Sequence, residues 1–353
     1  MRNRDKLFQT LLFDNDPLRI HSPMWGKYIP EINPDVFMTN KGSDTYALNI
    51  GKSMVMGGGL AGNGNAKNGD SAISIGAIGI QDPVAALDAI CSEIADKAEQ
   101  NCAEFTPEEI SVFRRATKLI ATETASSVFA GDLSPGTLAS QLKKESPANP
   151  FGIISSIQEA VENATDRVRN AASTLGFGAV RGKLSPAIGQ FFGDVFVYLK
   201  NGSRRNDIRN EIGQALISAY EAAKAEKGPL VVIGHSMGGV ILVDMLIEPA
   251  AAGLPADLKI DALLTVGSQP GLFMSLDVLA KNPLIRKPDC VKHWLNVFDP
   301  IDPLAFKAKP LFQGVEDLVF NSITGVAEAH SKYFQRPQFY ARSRVRLQAL
   351  QVL

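Results

Sequence analysis

Ser236 stands in Gly234-His235-Ser236-Met237-Gly238, a G-x-S-x-G pattern that Gly239 extends by one more small residue. A serine hydroxyl is a weak nucleophile until a neighbouring base takes its proton. The pattern therefore carries chemistry only if the chain also supplies a base, and an acid to orient that base. The flanks give it weight: Pro229 to Ile233 reads as a buried strand and Val240 to Leu246 as a helix. A strand that ends at a serine and turns at once into a helix strains that residue and lifts its hydroxyl above the sheet. Strand and helix can then approach only if the nearby residues are small. The helix N-terminus favours developing negative charge, and the Met237 N–H is placed to donate to an oxyanion.

Four histidines are available as base. His21 lies in an N-terminal loop far ahead of Ser236. His235 adjoins the serine on the turn and should point away from its hydroxyl. His293 begins an expected strand beside Trp294, as a packed or surface histidine. His330 lies in Glu328-Ala329-His330-Ser331-Lys332-Tyr333, a loop-like context beyond the last strand, and alone fits the chain order serine, acid, histidine. The acid belongs between them, at the carboxyl end of a strand, where sites collect in open parallel sheets. Asp299 and Asp302 compete in Asp299-Pro300-Ile301-Asp302-Pro303, directly after Trp294 to Phe298. Asp299 could instead cap the turn through its own backbone. Asp302, further into the loop, is the preferred partner for the imidazole Nδ1.

These elements resemble the α/β-hydrolase superfamily, specifically its serine esterase and lipase-like members. The resemblance spans roughly residues 190 to 335. It rests on Gly193 to Leu199, the turn at Ser236, Thr265-Val266-Gly267-Ser268, the stretch Trp294 to Pro303, and Ala329-His330-Ser331. By that resemblance Ser236, Asp302 and His330 form a triad that cleaves a carboxylic ester of acyl or lipid-like type through an acyl-enzyme, with no cofactor or metal. The small-molecule acyl ester is the expected partner. Acyl transfer to an acceptor other than water, or an interaction scaffold that has kept the fold, are the alternatives. The resemblance departs at one point. Such enzymes usually carry His-Gly after an early strand to supply the second oxyanion donor, and this chain has no His-Gly. Asp14 and Asn15, or Gly57 and Gly58, are the substitutes the sequence offers.

The elements that would position these residues form an α/β pattern: a mostly parallel sheet flanked by helices, with a helical insertion. Short apolar runs at Phe196 to Leu199, Leu230 to Ile233, Ile260 to Val266, His293 to Phe298 and Val315 to Phe320 read as five strands. Ile208, Ile212, Leu216 and Tyr220 mark a helix ahead of Gly228-Pro229. Residues 1–56 and 186–353 are expected to form the core. Residues 57–185 are expected to form a Gly-rich loop, Met56 to Gly69, followed by amphipathic helices that cap the pocket. Asp82-Pro83 and Thr106-Pro107-Glu108-Glu109 are helix-start signals within that block. A third stripe runs over Ile154, Ile157, Val161, Ala164, Val168 and Leu175.

Composition narrows the function classes. The 353 residues are 45% hydrophobic and 21% charged, enough apolar content for a sizeable core. Lys+Arg 36 against Asp+Glu 37 leaves a net charge of -1, with no bulk attraction to nucleic acid. Three scattered cysteines fit neither a disulfide framework nor a zinc site. The apolar run near the N-terminus is too short for a secretory leader. The one membrane-length stretch, Pro229 to Ile247, carries His235, Ser236 and Asp244 and reads as a buried strand, turn and helix. A cytoplasmic protein without a membrane span is expected; oligomeric state is left open.

Overall fold

A computed structural model describes residues 2–30, 74–143, 154–173, 177–200, 202–279 and 286–353. Its centre is a four-stranded, wholly parallel sheet in the order β1-β2-β3-β4, formed by Val231–His235, Ile260–Val266, Val291–Phe298 and Val315–Val319. The register pairs His235 with Val266 and Val266 with Val297. The loops leaving β1, β2 and β3 therefore start abreast on one edge, and Ser236, Gly267 and Phe298 stand level there. This alignment brings residues far apart in the chain together.

Twelve α-helices are described. The first six are α1 Arg2–Leu7, α2 Ile75–Gln81, α3 Pro83–Gln100, α4 Pro107–Ala121, α5 Pro135–Lys143 and α6 Ile154–Ser173. Then come α7 Phe177–Leu199, α8 Ser203–Glu226, α9 Met237–Ile247, α10 Pro270–Ser275, α11 Val326–Lys332 and α12 Pro337–Ala349. The starts of α3 and α4 follow from their sequence. Asp82 accepts from the Ala85 N–H, with Pro83 at the first helical position. Thr106 and Glu109 satisfy each other's backbone N–H groups as a capping box.

Each face of the sheet has its own core. Ala262, Leu264, Val266, Leu295 and Val297 pack with residues of α3–α6 and α12. Leu263, Trp294 and Val315 pack with residues of α8 and α9 on the other face. The helices of residues 75–173 thus share a core with the sheet and the last helix. The alternation of β2 and β3 residues between two cores explains their near-continuous apolar runs.

Helix α9 is buried along almost its whole length, as its uniformly apolar sequence requires. Its one charge, Asp244, receives hydrogen bonds from Tyr198 (2.6 Å), Arg205 (3.1 Å) and Arg209 (2.9 Å). Among the described residues no helix is long and apolar enough to cross a membrane.

Two sequence expectations change. Phe196 to Leu199 is not a strand but the last turn of α7, so the described sheet has four strands rather than five. Val195 and Tyr198 are buried while Phe196 is exposed, a helical spacing that a four-residue apolar window cannot register. The boundary placed between residues 185 and 186 falls inside that same helix. The C-terminal arginines are built into the fold: Arg342 pairs with Asp88, Arg346 with Glu316, and Arg344 with Asp14. The loop Met56 to Gly69 and Leu175 lie outside the described residues.

Candidate functional site

Ser236 sits between the last residue of β1 and the first of α9, with φ 52° and ψ −131°. A non-glycine residue there costs on the order of 1–3 kcal/mol and persists only where its surroundings hold it. They do so at three points. The Ser236 N–H donates to the Val266 carbonyl (3.0 Å), and its carbonyl accepts from the Gly239 N–H (3.0 Å) and the Ser268 hydroxyl (2.7 Å). A Cβ on Gly234 would lie 2.6 Å from the Gly239 Cα, and one on Gly239 would collide with Ser268. The small residues are thus a packing requirement of the turn. Among the described residues no partner is shown for the Met237 N–H, one of the first-turn groups a helix leaves unbonded.

The turn delivers the Ser236 Oγ to within 2.8 Å of the His330 Nε2. On the other side of the ring, Nδ1 lies 2.9 Å from Asp302 Oδ2 and 3.2 Å from Oδ1. A buried carboxylate can only accept, so Nδ1 carries the ring proton and Nε2 accepts from the serine hydroxyl. The Asp302 side chain is fully buried and that of His330 16% exposed, so the line is shielded from solvent at its acid end, while Ser236 is half-buried. His330 belongs to the short helix α11 rather than to a loop.

Both competing aspartates are buried, yet only Asp302 reaches the imidazole. Asp299 is spent on the backbone. Its Oδ1 accepts from the Ile301 N–H (3.1 Å), and its Oδ2 from the Ser322 N–H (2.9 Å) and hydroxyl (2.6 Å). This is the turn-capping use that aspartate before proline allows. Asp302 itself is fixed by the Leu304 N–H on Oδ1 (2.9 Å) and the Tyr333 hydroxyl on Oδ2 (2.9 Å).

His235 points away from Ser236, and its Nε2–H donates to the His330 carbonyl (2.8 Å). The two rings lie 4.9 Å apart, centroid to centroid. Burial, and then the adjacent His330, push the His235 imidazole down to about 4, so it stays neutral and ties β1 to α11. His21 is exposed in the N-terminal segment, and His293 lies within β3.

The substitutes for a second oxyanion donor fare differently. The carboxylate of Asp14 is engaged by Arg114 and Arg344, and Asn15 donates its N–H to the Gln9 carbonyl (2.7 Å). Gly57 and Gly58 lie outside the described residues. Sequence reasoning missed Trp25. Its short turn is pinned to α8 by Glu211, which receives the Met24 N–H (3.2 Å), the Lys27 ammonium (2.9 Å) and the Tyr28 hydroxyl (3.5 Å). The Trp25 indole lies beside Gly238, its Nε1 3.8 Å from where a Cβ on that glycine would sit. No hydrogen-bond partner for that N–H is found among the described residues. No sequence signal marks it, because the contact joins residues more than two hundred positions apart.

A cleft of about 530 Å³ opens beside the acid loop, between Leu272, Phe298, Pro300, Phe306, Lys307 and Leu311. Ser236 and His330 do not line it. Among the described residues no cluster of His, Cys, Asp or Glu is arranged to hold a metal ion. Comparison of the chain with protein-family models, with curated proteins and with solved structures finds no match.

Proposed function

We propose that this chain is a serine hydrolase of the α/β-hydrolase type that cleaves a carboxylic acyl ester. The hydrogen-bonded line from the Ser236 hydroxyl through His330 to the buried Asp302, set on a strained turn at a helix N-terminus, carries this reading. Ser236 Oγ attacks the ester carbonyl while His330 Nε2 takes its proton; Asp302 stabilises the resulting imidazolium without accepting that proton. His330 returns the proton to the departing alcohol. A water molecule, deprotonated by the same nitrogen, then releases the acid and restores Ser236.

The Met237 N–H is one donor to the tetrahedral oxyanion, and the indole N–H of Trp25 is assigned as the second. Trp25→Phe keeps a ring and removes that donor. Loss of one such donor typically costs about 10²–10³ in kcat, and a fall of that size with little change in KM is expected. Wild-type turnover by Trp25→Phe would remove Trp25 from the site.

The decisive test compares wild type with Ser236→Ala. A fluorophosphonate probe is expected to label only the wild-type protein. Hydrolysis of p-nitrophenyl acyl esters should drop about 10⁶-fold in the variant, the scale seen when a triad serine is removed. Absence of Ser236-dependent labelling, with no turnover across acyl chain lengths, would leave a scaffold with the same architecture.

A further inference from the structure

Tyr333 directly follows the helix that carries His330 and opens the short turn Tyr333–Gln335. Its side chain is buried, with the ring 5.4 Å from that of Phe320 and 6.0 Å from that of His235. The hydroxyl has two partners: it accepts from the Asp299 N–H at 2.8 Å and donates to Asp302 Oδ2 at 2.9 Å. A backbone N–H can only donate, so the single phenolic proton is committed to Asp302. Burial, followed by the charge of Asp302, pushes the phenol's ionisation far above its ordinary value. It therefore remains a neutral donor.

The space for this contact comes from Gly267, in the loop leaving β2. Its φ is +53°, and a Cβ there would lie 2.7 Å from Tyr333 Cε2 and 3.1 Å from Asp302 Oδ2. Phenol and carboxylate thus meet where a side chain is missing.

We infer that Tyr333 is a positioning residue for the Ser236–His330–Asp302 line, fixing the Oδ2 of Asp302 and through it the plane of the His330 ring. The part of this inference that concerns rate rests on the hydrolase reading. The part that concerns geometry is read in the resting protein. Without Tyr333, the Leu304 N–H on Oδ1 is, among the described residues, the one donor besides His330 that holds the carboxylate. The group can then rotate about its Cβ–Cγ bond, and the imidazole follows its partner.

The test is made on the full chain with Tyr333→Phe, which keeps the packed ring, and with Ser322→Ala. The latter removes one donor to Asp299 without touching Asp302. Two quantities are measured: the low-field proton resonance of the His330 Nδ1–H, and kcat and KM for a p-nitrophenyl acyl ester. Tyr333→Phe is expected to move the resonance and lower kcat roughly 10–100-fold with KM nearly unchanged, the scale of one charge-assisted hydrogen bond. Ser322→Ala is expected to leave the resonance in place.

An unmoved resonance with wild-type kcat in Tyr333→Phe overturns the inference. So does a Ser322→Ala variant that reproduces both changes, since Tyr333 would then act only by supporting the Asp299 loop. If wild type neither labels nor turns over ester, the hydrolase reading fails and the resonance alone decides Tyr333. Should Tyr333→Phe not fold, Gly267→Ala pushes a methyl group into the same contact. It must shift the same resonance for the inference to stand.

Discussion

Asp302→Asn is expected to lower kcat about 10⁴-fold, the scale seen when a triad aspartate becomes an amide, while Asp299→Asn leaves kcat nearly intact. The difference follows from what each carboxylate oxygen faces. Around Asp302, Oδ1 meets the Leu304 N–H, which can only donate, and Oδ2 meets the Tyr333 hydroxyl, which can also accept. An asparagine at 302 therefore settles with its carbonyl oxygen on Leu304 and its amide nitrogen toward Tyr333 and the His330 Nδ1. An N–H aimed at Nδ1 forces that nitrogen to accept, which moves the ring proton to Nε2. Nε2 then presents a proton to the Ser236 hydroxyl where a lone pair is needed.

Asp299 has no such tolerance, because both of its oxygens face backbone donors. Either orientation of an asparagine amide sets N–H against N–H in a buried site. About 1–3 kcal/mol of stability should be lost, read as a lower urea midpoint. Steady-state kinetics on folded protein separates the two variants. Near-wild-type kcat in Asp302→Asn together with collapse in Asp299→Asn would reverse the assignment of the acid.

What the sequence made legible is local. The turn at Ser236 could be read because its demands fall within a few residues: a β-branched run, a serine, small neighbours and an apolar helix. The starts of α3 and α4 were legible for the same reason, since Asp82-Pro83 and Thr106 with Glu109 complete their hydrogen bonds within one turn. The choice of Asp302 over Asp299 depended on register and loop direction: the chain order serine, acid, histidine admits both aspartates, and only a position further into the loop favoured Asp302.

Tyr333, Gly267 and Trp25 were not legible. Each makes its contact across a separation that only the fold closes, and nothing in its chain neighbours marks that contact. Phe196 to Leu199 shows the opposite error, where an apolar run too short to reveal a period was read as the commoner element of its length. The helical block was visible as amphipathic stripes. Nothing in those stripes said that they would share a core with the sheet, because a packing face looks the same whatever it covers.

The ion-pair cluster that joins that block to the site is the other place where one substitution should have a large effect. Arg336 is fully buried and holds Asp96 on α3 through both terminal nitrogens, at 2.5 and 3.2 Å, while its Nε donates to the Ser322 carbonyl (3.0 Å). Ser322 in turn holds Asp299, whose N–H meets the same Tyr333 hydroxyl that donates to Asp302. Arg167 adds a second contact to Asp96 at 2.7 Å, and Lys332 from the His330 helix a third at 3.6 Å.

Asp96→Ala leaves the buried Arg336 without its carboxylate, a change expected to cost about 3–5 kcal/mol. Asp96→Ala combined with Arg336→Met should recover much of that loss, because the unpaired charge and not the missing pair dominates. Urea denaturation of the single and double variants measures both. Equal stabilities for the two would show that Arg336 reaches water in the single variant and was never stranded.

The pH dependence has a fixed sign. Burial raises the Asp96 carboxyl, but the Arg336 hydrogen bond and the charges of Arg336, Arg167 and Lys332 outweigh it and hold the group below its ordinary value. Its contribution is therefore complete above the unfolded carboxylate range, near about 4, and fades as pH falls through the lowered folded value. The stability gap between wild type and Asp96→Ala should be widest at neutral pH and narrow on acidification. A gap that held constant down to strong acid would mean that the carboxylate's charge has no part in holding the helical layer to the site.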